Sequence, residues 1–144
     1  MVKSFNFLPD IATADVAFEA KGNSLNEVFE ASAEALCEVM AKRSTIKPTK
    51  KKKIQLSAET YDQLLFDFLS ELIFMKDVDA IVFSAVKVDI KEQQKKISLK
   101  ATAEGAPINP STQELGNDVK AVTLHMFSLK KEGNQWRAHI VLDI

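Results

Sequence analysis

Glycine and proline are scarce in this chain, with four of each among 144 residues, roughly half the share common in soluble proteins. That scarcity excludes collagen-like, linker-like and low-complexity readings and favours long, regular elements. Cysteine occurs once, at Cys37, which excludes an intramolecular disulfide framework and a multi-cysteine zinc site. No apolar run approaches the roughly 18 residues of a membrane span, and the start, Met1-Val-Lys-Ser-Phe-Asn-Phe7, lacks the apolar stretch of a signal peptide. Nucleophile-elbow, Walker and dinucleotide fingerprints are all missing, and so few glycines leave little room for them. What is present is ordinary for a globular protein: 46% hydrophobic and 27% charged residues. The length fits one domain over residues 1–144, expected to be soluble and cytoplasmic, with no membrane partner.

The net charge of −1 conceals a segregation. Residues 1–41 hold Asp10, Asp15, Glu19, Glu27, Glu30, Glu34 and Glu38 against only Lys3 and Lys21. Residues 42–53 hold Lys42, Arg43, Lys47, Lys50, Lys51, Lys52 and Lys53 with no acid. Such a basic segment suits either a solvated connection or contact with a phosphate backbone. No aromatic residue interleaves with these lysines, so a base-stacking platform is not expected there.

Periodicity divides the chain. Residues 4–8 and 16–21 read as short strands about a turn at Pro9-Asp10; Val16, Phe18 and Ala20 alternate with Ala17, Glu19 and Lys21. Ser24-Leu-Asn-Glu27 is a capping box opening a helix to about Lys42. Leu25, Val28, Phe29, Leu36, Val39 and Met40 form its apolar side, with Cys37 beside them as a small core residue. Glu27, Glu30, Glu34 and Glu38 form an outer stripe, readable as a solvated face or a docking face. A short strand at 54–56 leads to Ser57, expected to cap a second helix over about 58–76. Strands follow at 80–90 and 96–103, and a further pair at 119–130 and 135–143 turns through Gly133-Asn134. The connection 104–118, holding two of the four prolines and two of the four glycines, is long enough to be functional or mobile. Two helices among six or seven mostly antiparallel strands predict an α+β fold, not a Rossmann-type sheet.

The candidate chemistry lies in carboxylates. Asp15 precedes a strand and by alternation faces away from Val16 and Phe18. Asp143 ends the last strand, one residue before Ile144 and its carboxylate. Hard oxygen ligands gathered in this way suit Ca²⁺, Mg²⁺ or Mn²⁺; two unrelated exposed aspartates are the alternative. His139 lies about 13 Å along the strand from Asp143, too far to share an ion with it. His125 and His139, expected on neighbouring strands, read as structural.

Several blocks resemble the archease family: Thr13-Ala-Asp-Val-Ala-Phe-Glu-Ala-Lys-Gly22, Glu27-Val-Phe-Glu-Ala31 with Glu38-Val-Met40, Asp67-Phe-Leu-Ser-Glu-Leu-Ile73, Val119-Lys-Ala-Val-Thr-Leu-His-Met126 and Val141-Leu-Asp-Ile144. They run in the family's order over nearly the whole chain. The resemblance implies a non-catalytic protein cofactor of the tRNA-splicing RNA ligase, which joins 2′,3′-cyclic or 3′-phosphate ends to 5′-hydroxyl ends through a histidine guanylylated from GTP. It would promote that guanylylation and multiple turnover, meeting RNA indirectly through the ligase. The alternative is a chaperone or modulator of RNA-modifying enzymes such as a tRNA methyltransferase, or an RNA-binding module using the 42–53 segment. Carried over by position, the metal ligands are Asp15, Asp143 and Ile144, with Ca²⁺ the expected ion and Mg²⁺ or Mn²⁺ as alternatives. Lys120 joins Asp15 and Asp143 as a ligase-activating residue. Ala12 stands where many members have histidine.

Overall fold

The computed structural model describes residues 3–9 and 15–144; Asp10 of the expected turn and Ala12 lie outside the described residues. Among the described residues, eight strands and two α-helices run in the order β1 (Ser4–Leu8), β2 (Asp15–Gly22), α1 (Leu25–Met40), β3 (Lys50–Ala58), α2 (Tyr61–Asp79), β4 (Ile81–Gln93), β5 (Lys96–Pro107), β6 (Ala121–Val122), β7 (Ser128–Glu132) and β8 (Gln135–Asp143). They make an α+β fold with two antiparallel sheets. In one sheet β2 lies between β1 and β8, and β8 carries both β6 and β7 on its far side. The other has the order β3-β5-β4.

Helix α1 starts as its capping box directs. Ser24 Oγ accepts the Glu27 amide at 3.1 Å, and Glu27 Oε1 accepts the Asn23 amide at 2.7 Å. Helix α2 starts later than expected. Strand β3 stays paired with β5 through Ser57 and Ala58, so Thr60 is the cap, its Oγ1 accepting the Gln63 amide at 3.2 Å. Each helix touches both sheets, and one continuous core joins all four bodies. Phe29 of α1 and Phe68 of α2 stack at its centre, with ring centroids 6.0 Å apart. Such fully buried side chains contribute roughly 1.5–3 kcal/mol each.

Three expectations are corrected. The 119–130 strand is broken: β6 and β7 both pair with β8, but six residues from Val122 to Ser128 span only three from Leu142 to His139. The surplus loops out at 123–127, where Met126 takes φ 54°. This break makes eight strands of the expected six or seven. The acidic stripe is not a free solvated face. Glu30 accepts the Val88 amide of edge strand β4 at 2.8 Å and Asn26 accepts that of Ile90 at 2.9 Å. Glu30 and Glu34 also hold Lys3, and Glu38 holds Arg43. α1 thereby covers an edge whose amides would otherwise be open to pairing.

The third correction concerns the long connection. Residues 104–107 extend β5, and the remainder closes the end of α1. The amides of Gly116 and Asn117 donate to the carbonyls of Met40 and Val39 at 2.9 and 2.8 Å, and Lys42 N–H donates to Glu114 O at 2.8 Å. The last carbonyls of a helix lack partners inside it. This loop supplies them.

Candidate functional site

Antiparallel pairing of β2 with β8 sets Asp15 opposite Asp143. Directly opposed residues share a face, with Cβ atoms about 4.5–5.5 Å apart. The same register puts Phe18 opposite Ile140 and Ala20 opposite Ala138 in the core, so the two aspartates lie on the other face. Both carboxylate residues are half-buried. Like charges directly opposed destabilise a sheet, and among the described residues neither aspartate enters an ion pair. A bound cation would relieve that arrangement.

On the far side of β8, β6 continues the row. Ala121 pairs with Asp143, and the Lys120 amide donates to Asp143 O at 2.8 Å. Lys120 is exposed and enters no ion pair among the described residues. Ile144 is half-buried, its side chain packed against the core beside the row. Asp15, Asp143, Lys120 and Ile144 therefore meet where three strands end.

The histidines are not brought into this group. His139 faces Glu19 across the β2–β8 pair, and its Nδ1 lies 2.9 Å from Met126 O. A carbonyl only accepts, so Nδ1 carries the proton in this contact. His125 sits exposed in the 123–127 loop instead of on a strand. Cys37 is fully enclosed, and burial pushes its thiol up to about 12, which keeps it inert.

One supporting residue escaped the sequence reading. Lys76 is buried on α2, where its ammonium binds the Asp77 and Asp118 carboxylates and donates to Val119 O at 2.8 Å. Burial alone would lower its pKa, but the hydrogen bonds to Asp118 and Asp77 and their charges raise it above the usual value. Lys76 ties down the segment immediately before Lys120. Its spacing was a usable signal, because it follows Leu69, Leu72 and Ile73 on the buried helical stripe.

The basic segment is likewise not one solvated stretch. Arg43–Thr45 forms a 3₁₀ turn, and Lys50–Lys53 belong to β3. Arg43 binds Glu38 and lies over the Phe5 ring, Lys51 pairs with Glu104, and Lys52 pairs with Asp79.

Among the described residues, no three His, Cys, Asp or Glu side chains cluster closely enough to hold a metal ion. The row itself supplies two carboxylates, with the main-chain oxygens of Ile144 one residue beyond; the Asp143 carbonyl is taken by the Lys120 amide. That set fits Mg²⁺ or Mn²⁺ sharing its remaining positions with water or phosphate oxygens better than it fits Ca²⁺, which takes six to eight oxygens. Among the described residues, no helix is long and apolar enough to cross a membrane.

Fold and site define a small two-sheet α+β protein whose carboxylate pair and lysine crown the joined ends of three strands. A model of the Archease protein family matches residues 5–144. Archease of Methanothermobacter thermautotrophicus is 37% identical over 143 residues, covering 99% of this chain and all of that protein. Archease of Thermococcus kodakarensis is 35% identical over 133 residues, 92% of this chain and 94% of that one. The solution structure of Methanobacterium thermoautotrophicum protein 1598 superposes with a TM-score of 0.85 at 38% identity, covering 97% of this chain and 98% of that one. The crystal structure of a Thermotoga maritima archease shares the fold, with a TM-score of 0.62 at 22% identity over 95% and 96% of the two chains. This chain belongs to the archease family.

Proposed function

We propose that this protein is a non-catalytic activator of the tRNA-splicing RNA ligase, acting in the cytoplasm to promote GTP-dependent histidine guanylylation and multiple turnover. The observation that carries the reading is that Asp15 and Asp143 stand opposite each other across β2 and β8, with Lys120 next to Ala121, the β6 residue that pairs with Asp143. Asp15, Asp143 and an Ile144 main-chain oxygen would hold a divalent ion, Ca²⁺, Mg²⁺ or Mn²⁺. Bound there, the ion supplies charge neutralisation at phosphate oxygens.

The protein's own groups act by position. The carboxylates are fixed by strand register, so they enter a partner's active site already aligned and lose little freedom on binding. Lys120 offers a flexible ammonium to nucleotide phosphates from the same edge. The main-chain bond from its amide to Asp143 O keeps that lysine beside the carboxylates. RNA is met through the ligase. The test is a ligation assay with the cognate ligase limiting: adding this protein should convert about one turnover into many. Equal product with and without it would refute the reading.

A second reading, chaperone or modulator of RNA-modifying enzymes such as a tRNA methyltransferase, is favoured by the exposed apolar side chains of Leu124 and Met126. The T. maritima archease is itself described as a possible chaperone. This reading predicts that the protein suppresses heat-induced light scattering by the methyltransferase and that Leu124→Ser with Met126→Ser removes the effect.

A further inference from the structure

The outward face of the three-stranded sheet is strongly basic. Registration of β3, β5 and β4 puts Lys51, Lys53, Lys87, Lys91, Lys96 and Lys100 on that face, against the acids Asp89 and Glu104. The opposite face carries Ile54, Leu99, Ala101, Ala103, Val86 and Val88, all in the core. Glu104 is engaged by Lys51 at 3.7 Å. Lys53, Lys87, Lys91, Lys96 and Lys100 enter no ion pair among the described residues. Asp89 stands opposite Lys100 in the register, so these five ammonium groups leave an excess of four positive charges, on a patch about 10 Å across the strands and about 20 Å along them. Lys53, Lys87 and Lys100 line a concavity of ≈ 650 Å³ together with one carboxylate, Asp89, and the neutral hydrogen-bonding groups Gln55 and Thr102.

We infer that this sheet face binds the sugar–phosphate backbone of RNA, which is distinct from the carboxylate row and goes beyond the proposed role in ligase activation. Lysine recognises phosphate as a point charge without demanding fixed geometry. The outward positions of β3, β4 and β5 hold no aromatic side chain, so stacked bases have no platform and binding tolerates any sequence. Gln55 and Thr102 offer hydrogen bonds to phosphate and ribose oxygens, and Asp89 can accept from a ribose hydroxyl. The surface is assembled from all three strands, and only Lys51 and Lys53 of it come from the basic run at 42–53.

The test uses this protein and RNA alone, so its result is independent of any ligase assay. Anisotropy of a short fluorescein-labelled single-stranded RNA is measured across a salt series. Five phosphate contacts predict a slope of log K against log salt of about −3.5. Lys53→Gln, Lys87→Gln and Lys100→Gln together should lower affinity about 100-fold at ~0.1 M salt and reduce the slope to about −1.4. Lys87→Gln alone should flatten the slope by about 0.7, and the matching triple arginine variant should keep affinity. Unchanged binding by the glutamine variants, a slope near zero, or tighter binding of polyglutamate than of RNA would each overturn the inference. The last result would mark the face as a dock for an acidic protein.

Discussion

Asp15 and Asp143 place like charges side by side in a paired sheet, a choice that costs stability unless something compensates. Opposed like charges cost roughly 0.2–1 kcal/mol, so Asp15→Asn and Asp143→Asn should leave the metal-free protein as stable as before or slightly more so. The parent should gain stability with divalent ion, by about 2.7 kcal/mol at a hundredfold excess over its dissociation constant. Either variant should lose that gain. Thermal unfolding with and without Mg²⁺, Mn²⁺ and Ca²⁺ checks both halves. Lys76 works in the opposite sense, as a buried cation with its partners in place. Lys76→Met keeps most of the packing but removes charge-assisted bonds, for an expected loss of about 1.5–3 kcal/mol. Because the folded pKa of Lys76 is raised, its contribution is complete at neutral pH. It declines only as pH rises beyond the ordinary lysine value toward the folded one. Urea unfolding of parent and variant should therefore differ at pH 7 and converge in strongly alkaline buffer.

Elements were legible where their signals were local. The capping box at Ser24, the alternation of β2 and β8 and the turn at Gly133 all depend on residues close in sequence. What escaped depends on distant partners. Ser57 reads as a cap until β5 pairs with it, and 119–130 reads as one strand until β8 fixes the spacing. The loop after β5 reads as free until α1's carbonyls claim it. Gly116 shows how tight that closure is, because a Cβ there would lie 2.2 Å from Val39 O. Gly116→Ala should therefore destabilise the fold by about 1–3 kcal/mol by forcing these capping bonds apart. At the other helix, Ala80 ends α2 in the left-handed conformation, φ 51° and ψ 51°. Glycine meets no side-chain penalty there, so Ala80→Gly should stabilise by about 0.5–1 kcal/mol. Chemical denaturation of the two variants gives opposite shifts in midpoint.

For the molecule as a whole, the near-neutral net charge resolves into surfaces with separate roles. The acids of α1 are spent on Lys3, Arg43 and the amides of β4, while lysines distant in sequence converge on one sheet face. The carboxylate row was legible from residue type and strand phase at Asp15 and Asp143. Its assembly was not, because the β2–β8–β6 pairing joins positions more than a hundred residues apart. Lys76, which holds the approach to Lys120, was legible as a buried position from its place on the α2 stripe, but its partners Asp118 and Val119 were not. In the proposed role the carboxylate pair, and not the fold in general, activates the ligase. The most direct measurement is the rate of guanylylation of the cognate ligase by labelled GTP with the parent, Asp15→Ala and Asp143→Ala proteins, each first shown to unfold at the parent's temperature. Stimulation by the parent and none by either variant is the expected result; full stimulation by both variants would contradict a role for the carboxylates.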